Sequence, residues 1–388
     1  MRSVLFSNEV VGLGHLRISL SLARALAGMD EDSTALVVTG YAGADEIRLP
    51  PRVSVLRLPA APVSADPRWG TTALAGAAPL DPSPEQVLGE RGERALRAVR
   101  EIDPHVVVVD YTPLGRGGDL RAALEWLRES ARSVVALGLR DFDDDEELRS
   151  SWDGDVVKSV RRLYDLALIY NDGEVDDVRL QALRTAGVVI HRTGLVGEPT
   201  ADAGPEDVGD GYLLVTAGGG IDAVALLELV LDALRIRPLA IPALLVAGPM
   251  MPVTELARLR DRARGVGARV EHSRSDMDRV LAGARAIVSM AGYATVAEIL
   301  ASGKPALLVP RSSPREEQLN RARYWAGLGR VRMLAPERAD PVSLAGAIAE
   351  LLTLGPGTGL PLCGANDVAN ILAHACRGPW RVTRCGAG

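Results

Sequence analysis

Along the chain, short apolar runs alternate with longer stretches in which apolar residues recur every three or four positions. The first rhythm marks buried strands and the second amphipathic helices. Their alternation predicts an α/β protein built on parallel sheets. A strand over 4–6 leads through the turn Gly12-Leu13-Gly14-His15 into a helix over 16–27, with Leu16, Leu20 and Ala23 on one face. Strands are expected over 36–39 and 53–56, then a Pro-, Ala- and Gly-rich loop over 59–84 and a helix over 85–102. The four-valine run 106–109 reads as a strand covered on both faces, and it ends at Asp110. Two more strands are expected over 134–137 and 166–170.

The pattern lapses over 197–210, which holds Pro199 and Pro205 and few large apolar residues. This places a linker over 198–210, between an N-terminal domain over 1–197 and a C-terminal domain over 211–360. The rhythm restarts with a strand over 212–216, the turn Ala217-Gly218-Gly219-Gly220 and a helix over 223–234. Strands over 243–247, 286–289 and 305–309 follow, with helices over 295–301, 322–327 and 341–352. Both halves share one plan of strand, glycine turn and helix. The tail, 361–388, is expected to hold one helix over 365–376, near the domain junction.

The length of 388 residues suits two domains of roughly 150–200 residues each. A hydrophobic content of 47% is enough to build both cores. A net charge of −6 argues against a nucleic-acid partner, which calls for a basic surplus. Lys158 and Lys304 are the only lysines, a bias of GC-rich coding from which no function follows. Cys363, Cys376 and Cys385 are odd in number and lack metal-ligand spacing, so reduced thiols are expected. No apolar leader precedes the first strand and no run of about 18 apolar residues occurs, so a cytoplasmic protein without a transmembrane segment is expected. No heptad pattern points to an oligomeric state.

Glycines after a first strand let a ligand approach the backbone, and the following helix start favours anions. A dinucleotide fingerprint would need glycine at position 17, where Arg17 stands, so a dinucleotide oxidoreductase is disfavoured. The turn carries His15 instead, a side chain suited to taking a proton near neutral pH; its other reading is a capping histidine. Asp110, at the carboxyl end of its strand, is placed either to orient His15 or to cap the next segment. The triple glycine Gly218, Gly219 and Gly220 offers backbone N–H groups to phosphate, though a tight turn explains it equally well. The most informative stretch is 289–318, SMAGYATVAEILASGKPALLVPRSSPREEQ. It holds a glycine turn at a helix start, then Glu298 within that helix, then the pair Glu317-Gln318 in the next loop. Those groups suit a diphosphate, ribose hydroxyls and sugar hydroxyls in turn.

This stretch resembles the donor-binding segment of GT-B glycosyltransferases of the MurG-like, family 28 type. Over about residues 1–352 the chain is similar to a group of predicted bacterial glycosyltransferases with a Gly-Leu-Gly-His-Leu-Arg start. The resemblance implies a GT-B fold, with two Rossmann-like domains whose parallel sheets face across a cleft. It implies His15 as base, with Asp110 orienting it. Gly218, Gly219 and Gly220 would lie near the phosphates, and Arg274, beside the pair Asp276-Met277, would meet the nucleobase through its backbone. Ala291, Gly292 and Tyr293 would form the diphosphate turn, Glu298 would bind ribose, and Glu317 and Gln318 the donor sugar. The family has two glutamines at that last position, so the sugar's identity stays open. Gly14 and Asp141 would line the acceptor side.

The resemblance thus implies inverting transfer from a UDP-sugar or dTDP-sugar donor to a small-molecule acceptor, with no cofactor and no metal. The acidic run Asp141-Phe142-Asp143-Asp144-Asp145-Glu146-Glu147 reads as a solvated loop and helix start rather than a metal site. Two rivals share the architecture: a nucleotide-sugar 2-epimerase and a non-catalytic sugar-nucleotide-binding protein.

Overall fold

The computed structural model describes residues 1–7, 13–44, 47, 49–60, 83–142, 152, 154–171, 173, 177–197, 211–220, 222–313 and 316–378. The chain divides into two compact units. One comprises Met1–Val10, His15–Val196 and Cys363–Gly388, the other Val11–Gly14 and Gly197–Leu362. The expected linker, 198–210, lies outside the described residues, as do Gly12 and most of the loop over 59–84.

The first unit is built on seven parallel strands: β1 (Arg2–Phe6), β2 (Thr34–Thr39), β3 (Val53–Arg57), β4 (Val106–Asp110), β5 (Val134–Leu139), β6 (Leu166–Ile169) and β7 (Val189–Arg192). Their order is β3-β2-β1-β4-β5-β6-β7. All five residues of β4 are buried, as a parallel strand covered by helices on both faces requires. The helices are α1 (Gly14–Ala27), α2 (Pro84–Ile102), α3 (Arg121–Ser130), α4 (Gly154–Leu163) and α5 (Val178–Ala186). The start of α2 is fixed by a capping box, in which Ser83 and Gln86 bond each other's backbone N–H, with Pro84 opening the helix.

The second unit has six parallel strands: β8 (Tyr212–Thr216), β9 (Ala243–Val246), β10 (Ala268–Glu271), β11 (Ala284–Ser289), β12 (Ala306–Leu308) and β13 (Arg332–Met333). Their order is β10-β9-β8-β11-β12-β13. The helices are α6 (Val224–Ile236), α7 (Val253–Ala263), α8 (Met277–Gly283), α9 (Tyr293–Ser302), α10 (Glu317–Gly327) and α11 (Pro341–Thr353). The core packs Leu213 and Val215 of β8 with Leu227 and Val230 of α6 and Leu344 and Ile348 of α11. A last helix, α12 (Gly364–Arg377), belongs to the first unit. The Gly364 N–H donates to the Leu195 carbonyl at 3.1 Å.

In each sheet the strand order reverses once, between β1 and β4 and between β8 and β11. At such switch points neighbouring connections diverge to opposite faces and leave a crevice beyond the carboxyl ends of the strands, where α/β proteins bind ligands. Two boundaries depart from the sequence expectations. His15 is not in a turn but is the second residue of α1. Glu317 and Gln318 are not in a loop but open α10, which begins five residues before the expected start at 322. No side chain caps that start, so the usual sequence marker of a helix N-terminus is missing. Among the described residues, no helix is long and apolar enough to cross a membrane.

Candidate functional site

At the β1–β4 switch point, Asp110 closes β4 and His15 lies in the first turn of α1. The His15 Nδ1–H donates to Asp110 Oδ2 at 2.5 Å. Both side chains are buried, at 4% and 2% exposure, so the pair is shielded from competing water. A carboxylate on Nδ1 fixes the tautomer and leaves Nε2 with the lone pair a general base needs. Asp110 Oδ1 is buried with no hydrogen-bond partner among the described residues. The next residue, Tyr111, takes a left-handed backbone conformation with φ of 71°. Its N–H bonds the Gly138 carbonyl at 2.8 Å. Its ring lies 5.1 Å from the His15 imidazole. The Arg140 guanidinium lies 5.4 Å from the centroid of the same ring.

Asp141, one residue further, is buried. Its carboxylate accepts the Phe142 N–H at 2.7 Å and its carbonyl accepts Arg179 Nη2 at 3.1 Å. Asp143, Asp144, Asp145, Glu146 and Glu147 lie outside the described residues. A Cβ at Gly14 meets nothing within 4 Å among the described residues, so the start of α1 has open space beside it.

At the β8–β11 switch point the triple glycine divides into two tasks. Gly220, at φ 96°, is pressed against the turn after β9, where a Cβ would lie 2.5 Å from the Ala247 carbonyl oxygen. Gly218, at φ 64°, is exposed, and a Cβ there would meet only Thr295 Oγ1 at 3.6 Å. Gly219 accepts the Met250 N–H at 2.9 Å. After β11, Ala291 leads to Gly292, the N-cap of α9, which carries no side-chain cap. A Cβ on Gly292 would meet nothing within 4 Å among the described residues. Space therefore lies beside Gly292 at the start of α9, where the positive end of the helix dipole is found. α9 is buried from Tyr293 to Leu300, which takes Glu298 out of water at 5% exposure.

Two arginines that the sequence did not single out organise this edge. Arg321 of α10, 1% exposed, donates from Nη1 to the Ala291 carbonyl at 2.7 Å, with its guanidinium 5.7 Å from the Tyr293 ring centroid. It fixes the turn on both sides of Gly292 and brings a buried cation near it. Arg311 donates from Nε to Asp222 Oδ2 at 2.6 Å and from Nη2 to Glu317 Oε1 at 2.8 Å. Glu317 thereby joins the loop after the triple glycine, and its Oε2 is buried with no partner among the described residues. Gln318 accepts the Arg311 backbone N–H in a long contact of 3.5 Å.

The Arg274 side chain is held by two carboxylates. It donates to Asp276 Oδ1 and Oδ2 at 2.8 and 2.7 Å and to Glu271 Oε2 at 3.2 Å. The Asp276 hydrogen bond raises the Arg274 pKa above its ordinary value, and the same bond holds the Asp276 carboxyl below its own. Met277 opens α8 immediately after. Among the described residues, no group of three or more His, Cys, Asp or Glu side chains is arranged to hold a metal ion.

Residues 213–355 match the glycosyltransferase family 28 C-terminal domain. Over 146 residues the chain is 31% identical to the UDP-N-acetylglucosamine--N-acetylmuramyl-(pentapeptide) pyrophosphoryl-undecaprenol N-acetylglucosamine transferase of Erythrobacter litoralis (strain HTCC2594). That segment is 37% of this chain and 37% of the relative, so the match spans little more than a third of the curated protein. In structure, the chain is similar to MurG of Acinetobacter baumannii, with a TM-score of 0.56 at 14% identity over 96% of this chain and 99% of that one. It is similar as well to the UDP-GlcNAc 2-epimerase from Methanocaldococcus jannaschii, with a TM-score of 0.59 at 12% identity over 96% and 99% of the two chains. At such identities the likeness speaks for the fold. The protein thus has the GT-B fold, two α/β domains on parallel sheets. The segment that matches the family 28 C-terminal domain, 213–355, carries the turns at Gly218–Gly220 and Gly292 together with Glu298.

Proposed function

We propose that this chain is an inverting glycosyltransferase. It moves a hexose or N-acetylhexosamine from a UDP-sugar, or a dTDP-sugar, to a hydroxyl or amine of a small-molecule acceptor in the cytoplasm. The observation that carries the reading is the uncapped start of α9 at the β8–β11 switch point, with Glu298 buried in its second turn, inside a family 28 domain. The N–H groups at Gly292 and the exposed Gly218 turn stabilise the departing diphosphate, whose negative charge grows as the glycosidic bond breaks. Glu298 accepts hydrogen bonds from the ribose, while Glu317 and Gln318 engage the sugar. The uridine nucleotide is favoured by the relative's UDP-N-acetylglucosamine donor.

His15 takes the acceptor proton on Nε2 as the acceptor oxygen or nitrogen bonds the anomeric carbon. The bond from that carbon to the diphosphate oxygen breaks on the opposite face, and nucleoside diphosphate leaves. The proton stays on the imidazole, where Asp110 balances its charge. This route uses no metal and no cofactor.

Calorimetric titration with UDP, dTDP, GDP and NAD tests the reading. One pyrimidine nucleoside diphosphate is expected to bind selectively, and Glu298→Ala to weaken it by about tenfold to a hundredfold, as the loss of charge-assisted hydrogen bonds implies. Binding of NAD alone, or equal affinity in the variant, overturns it. Sugar transfer against acceptor-free sugar interconversion then separates a transferase from an epimerase.

A further inference from the structure

Arg140 stands one residue past the carboxyl end of β5, partly buried, with its guanidinium 5.4 Å from the Tyr111 ring centroid. The same ring lies 5.1 Å from the His15 imidazole. The buried arginines Arg91 and Arg179 of this unit have carboxylate partners: Arg91 pairs with Asp119 at 2.7 Å and Arg179 with Asp177. Arg140 has none among the described residues, and its Nε–H is buried with no acceptor among them. A buried donor of a charged group left unmet is destabilising, and its chemical complement is an oxyanion. The backbone carries a second sign of function here. Tyr111 holds φ of 71°, a conformation disfavoured for a non-glycine residue, and its ring lies near both the Arg140 cation and the candidate base.

We propose that Arg140 is the receptor for an oxyanion carried by the acceptor, a carboxylate or a phosphate. The planar guanidinium presents paired N–H groups to two oxygens of such a group, and stacking on Tyr111 restricts its orientation. The anionic group is thereby held beside His15, and acceptors that carry one near their nucleophilic hydroxyl or amine are selected over neutral analogues. This rests on the proposed function, in which His15 of the first unit takes the acceptor proton.

The test titrates phenyl phosphate, benzoate and neutral benzyl alcohol into the wild type, Arg140→Gln and Arg140→Lys, with saturating UDP occupying the nucleotide site. At least one anion is expected to bind the wild type, with benzyl alcohol far weaker. Arg140→Gln is expected to weaken that anion about tenfold or more, and Arg140→Lys to retain part of the affinity. The tighter of the two anions identifies the oxyanion as phosphate or carboxylate. Affinity unchanged in Arg140→Gln, no anion binding to the wild type, or equal binding of benzyl alcohol overturns the proposal. Thermal midpoints of the variants check folding, and Arg140→Lys carries the comparison if Arg140→Gln does not fold. If UDP fails to bind, the glycosyltransferase reading falls by itself, and the same anion titrations without UDP still decide the role of Arg140.

Discussion

His15 and Asp110 are 95 positions apart in sequence and meet because β1 and β4 are parallel neighbours whose following segments leave from the same sheet edge. If the carboxylate selects the imidazole tautomer, Asp110→Asn should lower turnover by about a hundredfold to ten-thousandfold and leave nucleotide affinity unchanged. His15→Ala should do the same. Steady-state nucleotide release and calorimetry on the same preparations check this, and near-normal turnover in His15→Ala would remove the base assignment. Both residues were legible in the sequence, because an imidazole after a glycine turn and an acid at the end of a valine run are conspicuous. Arg140, Arg311 and Arg321 were not. In a chain whose basic residues are nearly all arginine, no single arginine stands out by type. What distinguishes these three is burial and what each side chain reaches: the Tyr111 ring, the Asp222 and Glu317 carboxylates, and the Ala291 carbonyl.

Elements were legible in proportion to their apolar content. β1, β4, β8 and β11 are nearly continuous apolar runs because both faces of each are covered. β10 buries little besides Val270, β13 is two residues long and β7 forms an edge, so none has a pattern to read. α7 hides its role differently. Its apolar stripe is only Leu256, Leu259 and Ala263, and its outer face is tied down by ion pairs of Arg258 and Arg262 with Glu228. The triple glycine was ambiguous in sequence between a tight turn and a phosphate cradle, and the geometry gives its members different reasons. Gly220→Ala forces a methyl group against the Ala247 carbonyl at 2.5 Å and a positive φ of 96° on an alanine. Overpacking of that kind should destabilise by about 1–3 kcal/mol. Gly218→Ala, with space around it, should lose only about 1–2 kcal/mol for its left-handed backbone. Denaturant midpoints of the two variants should rank in that order, and the reverse order would mean that the turns after β8 and β9 are not packed as described.

At the scale of the whole molecule, the repeated plan was readable because each half restarts with strand, glycine turn and helix, and each sheet reverses its strand order beside its first strand. The return of the chain was less so. A tail helix is a periodic apolar pattern whatever it packs on, and nothing in the pattern assigns α12 to the first unit, to which it belongs. There Val368 and Leu372 are fully buried, the Cys376 thiol reaches the His105 carbonyl at 3.6 Å, and an apolar hollow of about 280 Å³ lies between α12 and the strands carrying Leu166 and His191. Burial holds the His191 pKa below its ordinary value. Burying two such aliphatic side chains contributes about 3–6 kcal/mol, a large share of the roughly 5–15 kcal/mol by which a domain is stable. A chain ending at residue 362 should therefore lose most of the stability of its first unit, while the second, complete within Gly197–Leu362 apart from Val11–Gly14, keeps its own. Calorimetric melting is expected to show one transition displaced downward or absent and the other unmoved, with UDP still raising the midpoint of the surviving one. An unshifted melting profile would mean that α12 is dispensable to the unit it covers, and that the first unit is already complete at Val196.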